Sequence, residues 1–325
     1  MSHTSPSAVR WGILGASDFA LHYMGPAIHA ARGAALAAVA TSDPVKAEPF
    51  AAYATGLRVF TDYDALLADP DIDAVYVPLP NHLHVEWTKR ALAAGKPVLT
   101  EKPIAMTEAE FDDLIAARDA AGILAAEAYM VVHHAQWRKV RDLLAEGAIG
   151  DLAHVQGAFC YNNAAATGNI RNRPETGGGA LRDIGVYPFG TARFATGSEP
   201  EAVSADITWE NDVDVITRVN ARFPGFTMTT LVSMRIGNFQ EMRFLGSAGR
   251  IDVRTPFTPG RSDIAEVTLV TDSAETLWRY TEEKQYVNQV ETFGAAIRSG
   301  ADYPCPLEYS RGTQRMIDLA FASVR

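Results

Sequence analysis

The chain has 325 residues, 47% hydrophobic and 21% charged, a globular composition with apolar surface for one large domain or two ordinary ones. A formal net charge of −10 and an isoelectric point near 5.3 repel phosphate backbones and anionic bilayers, which argues against nucleic-acid and membrane partners. Cys160 and Cys305 show neither metal-ligand spacing nor a disulfide framework, as in a reducing cytosol, although one pairing of the two stays open. Residues 1–8 are polar and no apolar run reaches the roughly 18 residues of a membrane span, so a cytoplasmic protein without signal peptide or anchor is expected.

Val9–Leu14 is a short apolar run ended by Gly15 and reads as a buried first strand. Gly15, Ser17 and Ala20 follow as a G-x-S-x-x-A variant of the G-x-G-x-x-G/A phosphate turn. Gly15 permits the tight strand-to-helix turn, and Ala20 lets the helix pack closely on the strand. Ser17 stands where a glycine's backbone would approach the pyrophosphate. Its hydroxyl can bond a phosphate oxygen, and the helix N-terminus adds oriented N–H donors. Gly-rich turns are common, so the flanking strand and Ala-rich amphipathic helix are what point to a dinucleotide. Ala34–Ala40 is the second strand, whose end reads the adenosine ribose. Thr41, Ser42 and Lys46 lie there in place of the carboxylate that favours NAD. Hydroxyls and an ammonium suit a 2′-phosphate, so NADP is preferred over NAD. Asp43 is the contrary sign, unless Asp43 and Pro44 simply cap the next helix.

A helix over 46–56, a strand over 57–60, a helix over 63–69 and a strong strand over 71–77 follow. That strand runs into Pro78, Leu79, Asn81 and His84, then a helix over 85–94. The loop lies at the ligand edge of a βα unit. Asn81 and His84 can bond cofactor ribose or substrate, although lone histidines are more often structural. A strand over 97–100 carries Glu101, Lys102 and Pro103 at its carboxyl end, where open α/β sheets bind ligands. A lysine there can exchange a proton with a substrate hydroxyl, since partial burial or a nearby cation brings an ammonium toward neutrality. A surface lysine before a turn proline is the plain alternative. A helix over 107–121, with Thr107 and Glu110 as a capping box, and a strand over 123–126 complete the βαβαβα alternation of a doubly wound parallel sheet.

His133 and His134 invite a metal, but no H-E-x-x-H, carboxylate cluster or cysteine accompanies them, and none is expected. A helix over 137–147 and a strand over 152–160 lead into the polar segment 161–179. It contains Arg171 and Arg173 and has the composition of a substrate-facing loop or lid. Gly177, Gly178 and Gly179 then open a helix in which Asp183 and Tyr187, four apart, share a face. A carboxylate beside a phenol can orient a sugar hydroxyl and assist proton transfer; an ordinary polar helix face has the same spacing. The glycines let the backbone approach something closely. Strands over 202–209, 214–223, 226–234, 240–245, 250–253 and 264–270 suit an antiparallel sheet with one solvated face, with Gly225 and Gly249 marking hairpin turns. Helices over 286–299 and 308–323 end the chain. The uncovered sheet face is a candidate surface for a homodimer or homotetramer. The expected division is 1–126 and 127–325.

These motifs together resemble the glucose-fructose oxidoreductase, inositol dehydrogenase and rhizopine-catabolism family over nearly the whole chain. The resemblance rests on the segments 12–20, 78–87, 94–103, 127–130, 177–187 and 246–251. Glu101-Lys102-Pro103 after Ala94-Gly95-Lys96 is its most specific signal. Tyr187 and the Pro78–Asn81 and Glu86-Trp87 pairs are similar to the xylose dehydrogenase and dihydrodiol dehydrogenase branch. The resemblance implies a Rossmann domain and a mainly antiparallel α/β domain that together bind NAD(P). It implies an oxidoreductase acting on a sugar, polyol or related diol, with Lys102 as general acid/base, Asp183 orienting the substrate or Lys102, and Tyr187 bonding the reacting hydroxyl. It also implies a cis Lys102–Pro103 bond. The dinucleotide would be held by Gly12, Gly15, Ser17, Asp18, Phe19, Thr41, Ser42, Lys46, Pro78, Leu79, Asn81, His84, Glu101 and Lys102. The substrate would meet His134, Arg171, Arg173, Asp183 and Tyr187. Val132 stands where many relatives carry an arginine. The competing readings are a non-catalytic dinucleotide sensor on the same fold, and a sugar-transforming enzyme that retains its cofactor.

Overall fold

The computed structural model describes residues 8–260 and 263–324, so most of the polar N-terminal stretch lies outside the described residues. The chain divides into two compact units. One gathers the chain up to Ala105, Ala109–Met130 and Gln285–Glu308; the other takes Met106–Glu108, Val131–Lys284 and Tyr309 onward. A single break after 126 therefore does not describe residues 285–308, which fold with the first unit. Apolar packing draws them there: Phe293 sets its ring 5.3 Å from Trp11.

The first unit is built on β1 (Val9–Leu14), β2 (Ala34–Ala40), β3 (Arg58–Phe60), β4 (Ala74–Val77), β5 (Val98–Thr100) and β6 (Ala125–Glu127). They pair in the order β3-β2-β1-β4-β5-β6, all in parallel. This is the doubly wound order, with the strand sequence reversing between β1 and β4. Helices cover both faces of such a sheet, so its strands are apolar along their length. Ile13, Val75, Val77, Val98 and Leu99 are fully buried. Lys96 ties the entry to β5 by donating to the carbonyls of Asp69 and Ile72, at 2.7 and 2.6 Å. The helix His84–Ala93 is fastened to β5 by a buried Thr88–Thr100 hydroxyl bond of 2.6 Å.

Two connections differ from the expectation. The crossover after β2 is a 3-10 helix, Pro44–Ala52, with Pro49 inside it; Pro49 lacks the N–H that α-helical propagation needs. The helix after β5 runs Glu110–Ala121 with Ala109 as its N-cap, so it starts three residues after Thr107. The Glu108 amide just before it donates to Asp318 Oδ2, 2.6 Å away.

The second unit carries β7 (Leu152–Asn162), β8 (Ala202–Glu210), β9 (Val213–Phe223), β10 (Phe226–Ser233), β11 (Arg235–Gly246), β12 (Gly249–Arg254), β13 (Ala265–Thr271) and β14 (Glu275–Tyr280). Their order is β14-β13-β12-β11-β7-β10-β9-β8, antiparallel except for the parallel pair β7–β10. Val215, Val219 and Ala221 of β9 point inward, while Arg218, Asn220 and Arg222 alternate outward. Strand β14 escapes the sequence pattern because it is a short edge strand, exposed along most of its length. The helices Ala135–Ala145 and Val186–Thr196 pack on the sheet's inner face. Arg193, 4% exposed, clamps the second of these by bonding the Glu199 carboxylate, Tyr309 O and Thr313 Oγ1. Among the described residues no helix is long and apolar enough to cross a membrane.

Gly12 lies within β1, and a Cβ there would stand 2.6 Å from Leu66 Cδ2 and 3.2 Å from Ile72. Its lack of a side chain is required by packing. Gly12→Ala should therefore cost about 1–3 kcal/mol by overpacking, seen as a lower melting temperature with cofactor affinity unchanged; a normal melt with lost affinity would reverse the assignment.

Candidate active site

The carboxyl ends of β1, β4 and β5 bring most of the candidate residues of the first unit to one edge. Gly15 takes φ +112°, and a Cβ there would press within 2.9 Å of Leu79. Only glycine enters this conformation cheaply. Ser17 Oγ accepts the Ala20 amide at 3.1 Å and so caps the turn Ala20–Met24 that continues into the helix Gly25–Ala30. Asp18 is exposed. Phe19 packs against Tyr23 and Tyr286, with ring centroids 5.1 and 5.8 Å away. A positive-φ glycine before a capped helix start is a cradle of the kind that fits a dinucleotide's phosphates.

At the end of β2, Thr41 is 4% exposed. Its hydroxyl donates to Asp43 O at 3.2 Å and accepts the Asp43 amide at 3.3 Å. Thr41 thus closes a local turn at the strand end. The Asp43 carboxylate caps Val45 N at 3.2 Å, so the acidic residue is spent on the next helix. Ser42, Asp43 and Lys46 are all exposed at this strand end.

Lys102 follows β5 through a cis bond to Pro103. Its backbone is held from several sides. Its own amide donates to Glu101 Oε2 at 3.3 Å, and Glu101 Oε1 accepts the Tyr76 hydroxyl at 2.6 Å from the neighbouring strand. Burial pushes the Glu101 carboxyl upward, against the lowering bond from Tyr76. The Ile104 amide donates to Glu127 Oε1 at 3.0 Å. His84 sits 2.7 Å from both Pro103 O and Leu79 O. It is fully buried, and burial lowers its pKa to about 4. His84 thus bridges the loops after β4 and β5 instead of facing a ligand. Leu79 is buried beneath Gly15, and Asn81 opens a short turn at the same edge.

In the second unit, Asp183 lies in a π turn, Leu181–Gly185, that opens the helix carrying Tyr187. Both residues are buried, at 9% and 6% exposed. Tyr187 packs its ring against Phe159 and Phe257, at 5.4 and 5.7 Å between centroids. Asp183 Oδ2 takes two partners: the Tyr161 hydroxyl at 2.6 Å and Arg171 Nε at 2.9 Å. Burial, then the Asp183 charge, drives the Tyr161 phenol's pKa far upward, so it stays protonated. Arg173 is exposed. His134 is fully buried and accepts the Gln136 amide through Nδ1 at 3.2 Å. Burial lowers its pKa to about 4, so it is a neutral helix cap through Nδ1. Among the described residues, no group of three or more His, Cys, Asp or Glu could hold a metal.

The three glycines serve the chain's own loop. The amides of Gly178 and Gly179 donate to Arg173 O and Arg171 O, each at 3.0 Å. A side chain on Gly178 would collide with those carbonyls, and one on Gly179, at φ +123°, with the Asp214 carboxylate. Asp214 accepts the Leu181 amide at 2.7 Å and so anchors the start of the Asp183 helix. Tyr76, Glu127, Tyr161 and Asp214 were not foreseen. The available signal was a polar group at each strand's end, and their partners lie 22 to 33 residues away.

Burial raises the Asp214 pKa to about 7, above the roughly 3.9 of an unfolded aspartate. Its contribution to stability is full below that unfolded value and is lost as pH rises through about 7. Thermal melts of Asp214→Asn should lack this slope, so the stability difference between variant and parent should change between pH 4 and 8; parallel curves would contradict the burial argument.

The fold of the first unit is that of a dinucleotide-binding domain, and the second unit is a mainly antiparallel α/β domain. The chain belongs to the oxidoreductase family with an NAD-binding Rossmann fold, matched over residues 9–129, with the GFO/IDH/MocA C-terminal domain over 137–252. A dTDP-3,4-didehydro-2,6-dideoxy-α-D-glucose 3-reductase of Streptomyces antibioticus is 35% identical, covering 90% of this chain and 89% of its own. A D-xylose 1-dehydrogenase (NADP+) of Haloferax volcanii is 30% identical over 96% of each chain. The crystal structure of a 3-ketoreductase from Actinomadura kijaniata, in complex with NADP and TDP-benzene, superposes with a TM-score of 0.89 at 31% identity and 98% coverage of both chains.

Proposed function

We propose that this enzyme moves a hydride between NADP and the carbon of a sugar or polyol hydroxyl, or of the matching ketone, with Lys102 carrying the proton. The nicotinamide, when bound, supplies or accepts the hydride. Gly15 and Ser17 hold the phosphates, and Ser42 with Lys46 reads the ribose end. In reduction the Lys102 ammonium gives its proton to the forming carbinol oxygen; in oxidation the neutral amine takes it back. Asp183 and Tyr187 bind substrate hydroxyls, Tyr187 the reacting one. The observation that carries this reading is the anchoring of residues 102–104 by Glu101, Glu127 and His84, which fixes one lysine at a ligand edge. The sugar-acting relatives support the substrate class, and NADP in two of their descriptions supports the cofactor preference. The exposed Ser42 and Lys46, with Asp43 committed to a cap, point the same way. Cys160 and Cys305, which share no disulfide, suit a cytosolic setting. The solvated face of the eight-stranded sheet suits a homodimer or homotetramer.

Assays would offer aldoses, inositols, diols and dTDP-linked keto sugars with each nucleotide. Lys102→Met should lower kcat by about 10²–10⁴-fold while NADPH fluorescence still reports binding. Unimpaired turnover would remove Lys102 from the chemistry. Lys46→Ala should raise KM for NADP by about tenfold, the worth of one charge-assisted bond, and leave KM for NAD alone. Equal effects on both nucleotides would refute 2′-phosphate recognition.

A further inference from the structure

We infer that Arg171 is a positioning residue: it locks Asp183 as a carboxylate and ties the segment 161–179 to the helix that carries Asp183 and Tyr187, rather than reading the substrate itself. The inference rests on the reading above in which Asp183 binds substrate.

Arg171 Nε lies 2.9 Å from Asp183 Oδ2, the oxygen that also accepts the Tyr161 hydroxyl. Two donors on one oxygen, one of them cationic, hold the group ionised and fix its rotamer. The Asp183 side chain is 11% exposed and that of Arg171 41%, so the pair sits at the boundary of the buried region, and its ionic part is not fully screened. Tyr187 is the other titratable group whose charge bears on Tyr161 and Arg171.

The loop backbone is built to deliver this guanidinium. The Arg171 amide donates to Asn169 Oδ1 at 2.9 Å, and Arg171 O accepts the Gly179 amide at 3.0 Å. Thr176 Oγ1 bonds Ile170 O and Arg173 O on either side of it, at 2.5 and 3.0 Å. Arg235 holds the next residue, Asn172, through Oδ1 at 3.2 Å. The absence of a side chain at Gly178 is what lets the carbonyls of residues 171 and 173 lie against the helix start, and its absence at Gly179 leaves room for the Asp214 carboxylate that anchors that helix. Nε of the guanidinium is taken by Asp183, whose carboxylate balances the Arg171 charge, so the side chain supports Asp183 rather than meeting a further anion. Recognition then falls to Asp183 and Tyr187, which suits an uncharged hydroxylated ring at that position.

The test combines pH–rate profiles with a melting-temperature cycle. With the panel sugar that gives the fastest turnover, Arg171→Met should lower kcat/KM about 100-fold, mostly in kcat, and move its acid limb to higher pH. Arg171→Lys should restore the limb with part of the rate. A rise in KM alone, with the profile unmoved, would overturn the inference and make Arg171 a substrate reader. Independently of turnover, Arg171→Met and Asp183→Asn should each lower the melting temperature, and the double variant should lose no more than the larger single loss. Additive losses would show that the two are not coupled. If no sugar is turned over, the functional reading fails, and the melting cycle still decides the lock.

Discussion

Three successive residues around Lys102 are each held by a side chain, and the ligand edge of the first unit depends on this anchoring. Glu101 takes the Lys102 amide, the His84 ring meets Pro103 O, and Glu127 takes the Ile104 amide. These anchors come from the end of β5, the helix after β4 and the end of β6. The carboxylate of Glu101 could not remain buried without compensation; Tyr76 provides it from β4. A flexible lysine on an exposed turn would lose orientation entropy at each turnover, whereas a fixed backbone has lost most of it on folding.

The sheet makes this arrangement possible. Parallel strands in the order β3-β2-β1-β4-β5-β6 end together, so a turn after β1, a cap after β2 and a lysine after β5 share one edge although nearly ninety residues separate Gly15 from Lys102. The second unit meets the same problem with different means. Its helix starts against the buried Asp214, for which Gly179 leaves room, and Gly178 admits a neighbouring loop that places Arg171 on Asp183. In both units, burying a charged group beside the working residue costs stability, and that group then has one arrangement in which it is satisfied.

Much of this was legible in the sequence because local chemistry determines it. Apolar runs alternating with amphipathic helices define a parallel sheet, and Gly15, Ser17 and Ala20 mark the phosphate turn wherever they occur after a strand. The family signature likewise anticipated the cis bond at Pro103. What the sequence leaves undetermined has a physical origin. His84, His134 and Thr41 are polar residues at the right places in the chain, and each is buried with at least one polar atom bonded to the backbone. Sequence does not distinguish a polar side chain that faces a ligand from one that closes a loop. Gly12 looks like part of a glycine fingerprint, and only the position of Leu66 shows it to be a packing glycine. The pairings Tyr76–Glu101 and Tyr161–Asp183 join residues far apart in the chain, so no spacing rule reaches them.

The central claim, hydride transfer at a sugar carbon, is tested most directly with NADPH carrying deuterium at nicotinamide C4 and a dTDP-linked keto sugar as acceptor. Mass spectrometry and NMR would then locate the label. The account predicts one deuterium on the newly formed carbinol carbon when the reactive face is labelled, and none when the opposite face is. Reduced sugar without deuterium from either label, or oxidised cofactor with no reduced sugar, would contradict it.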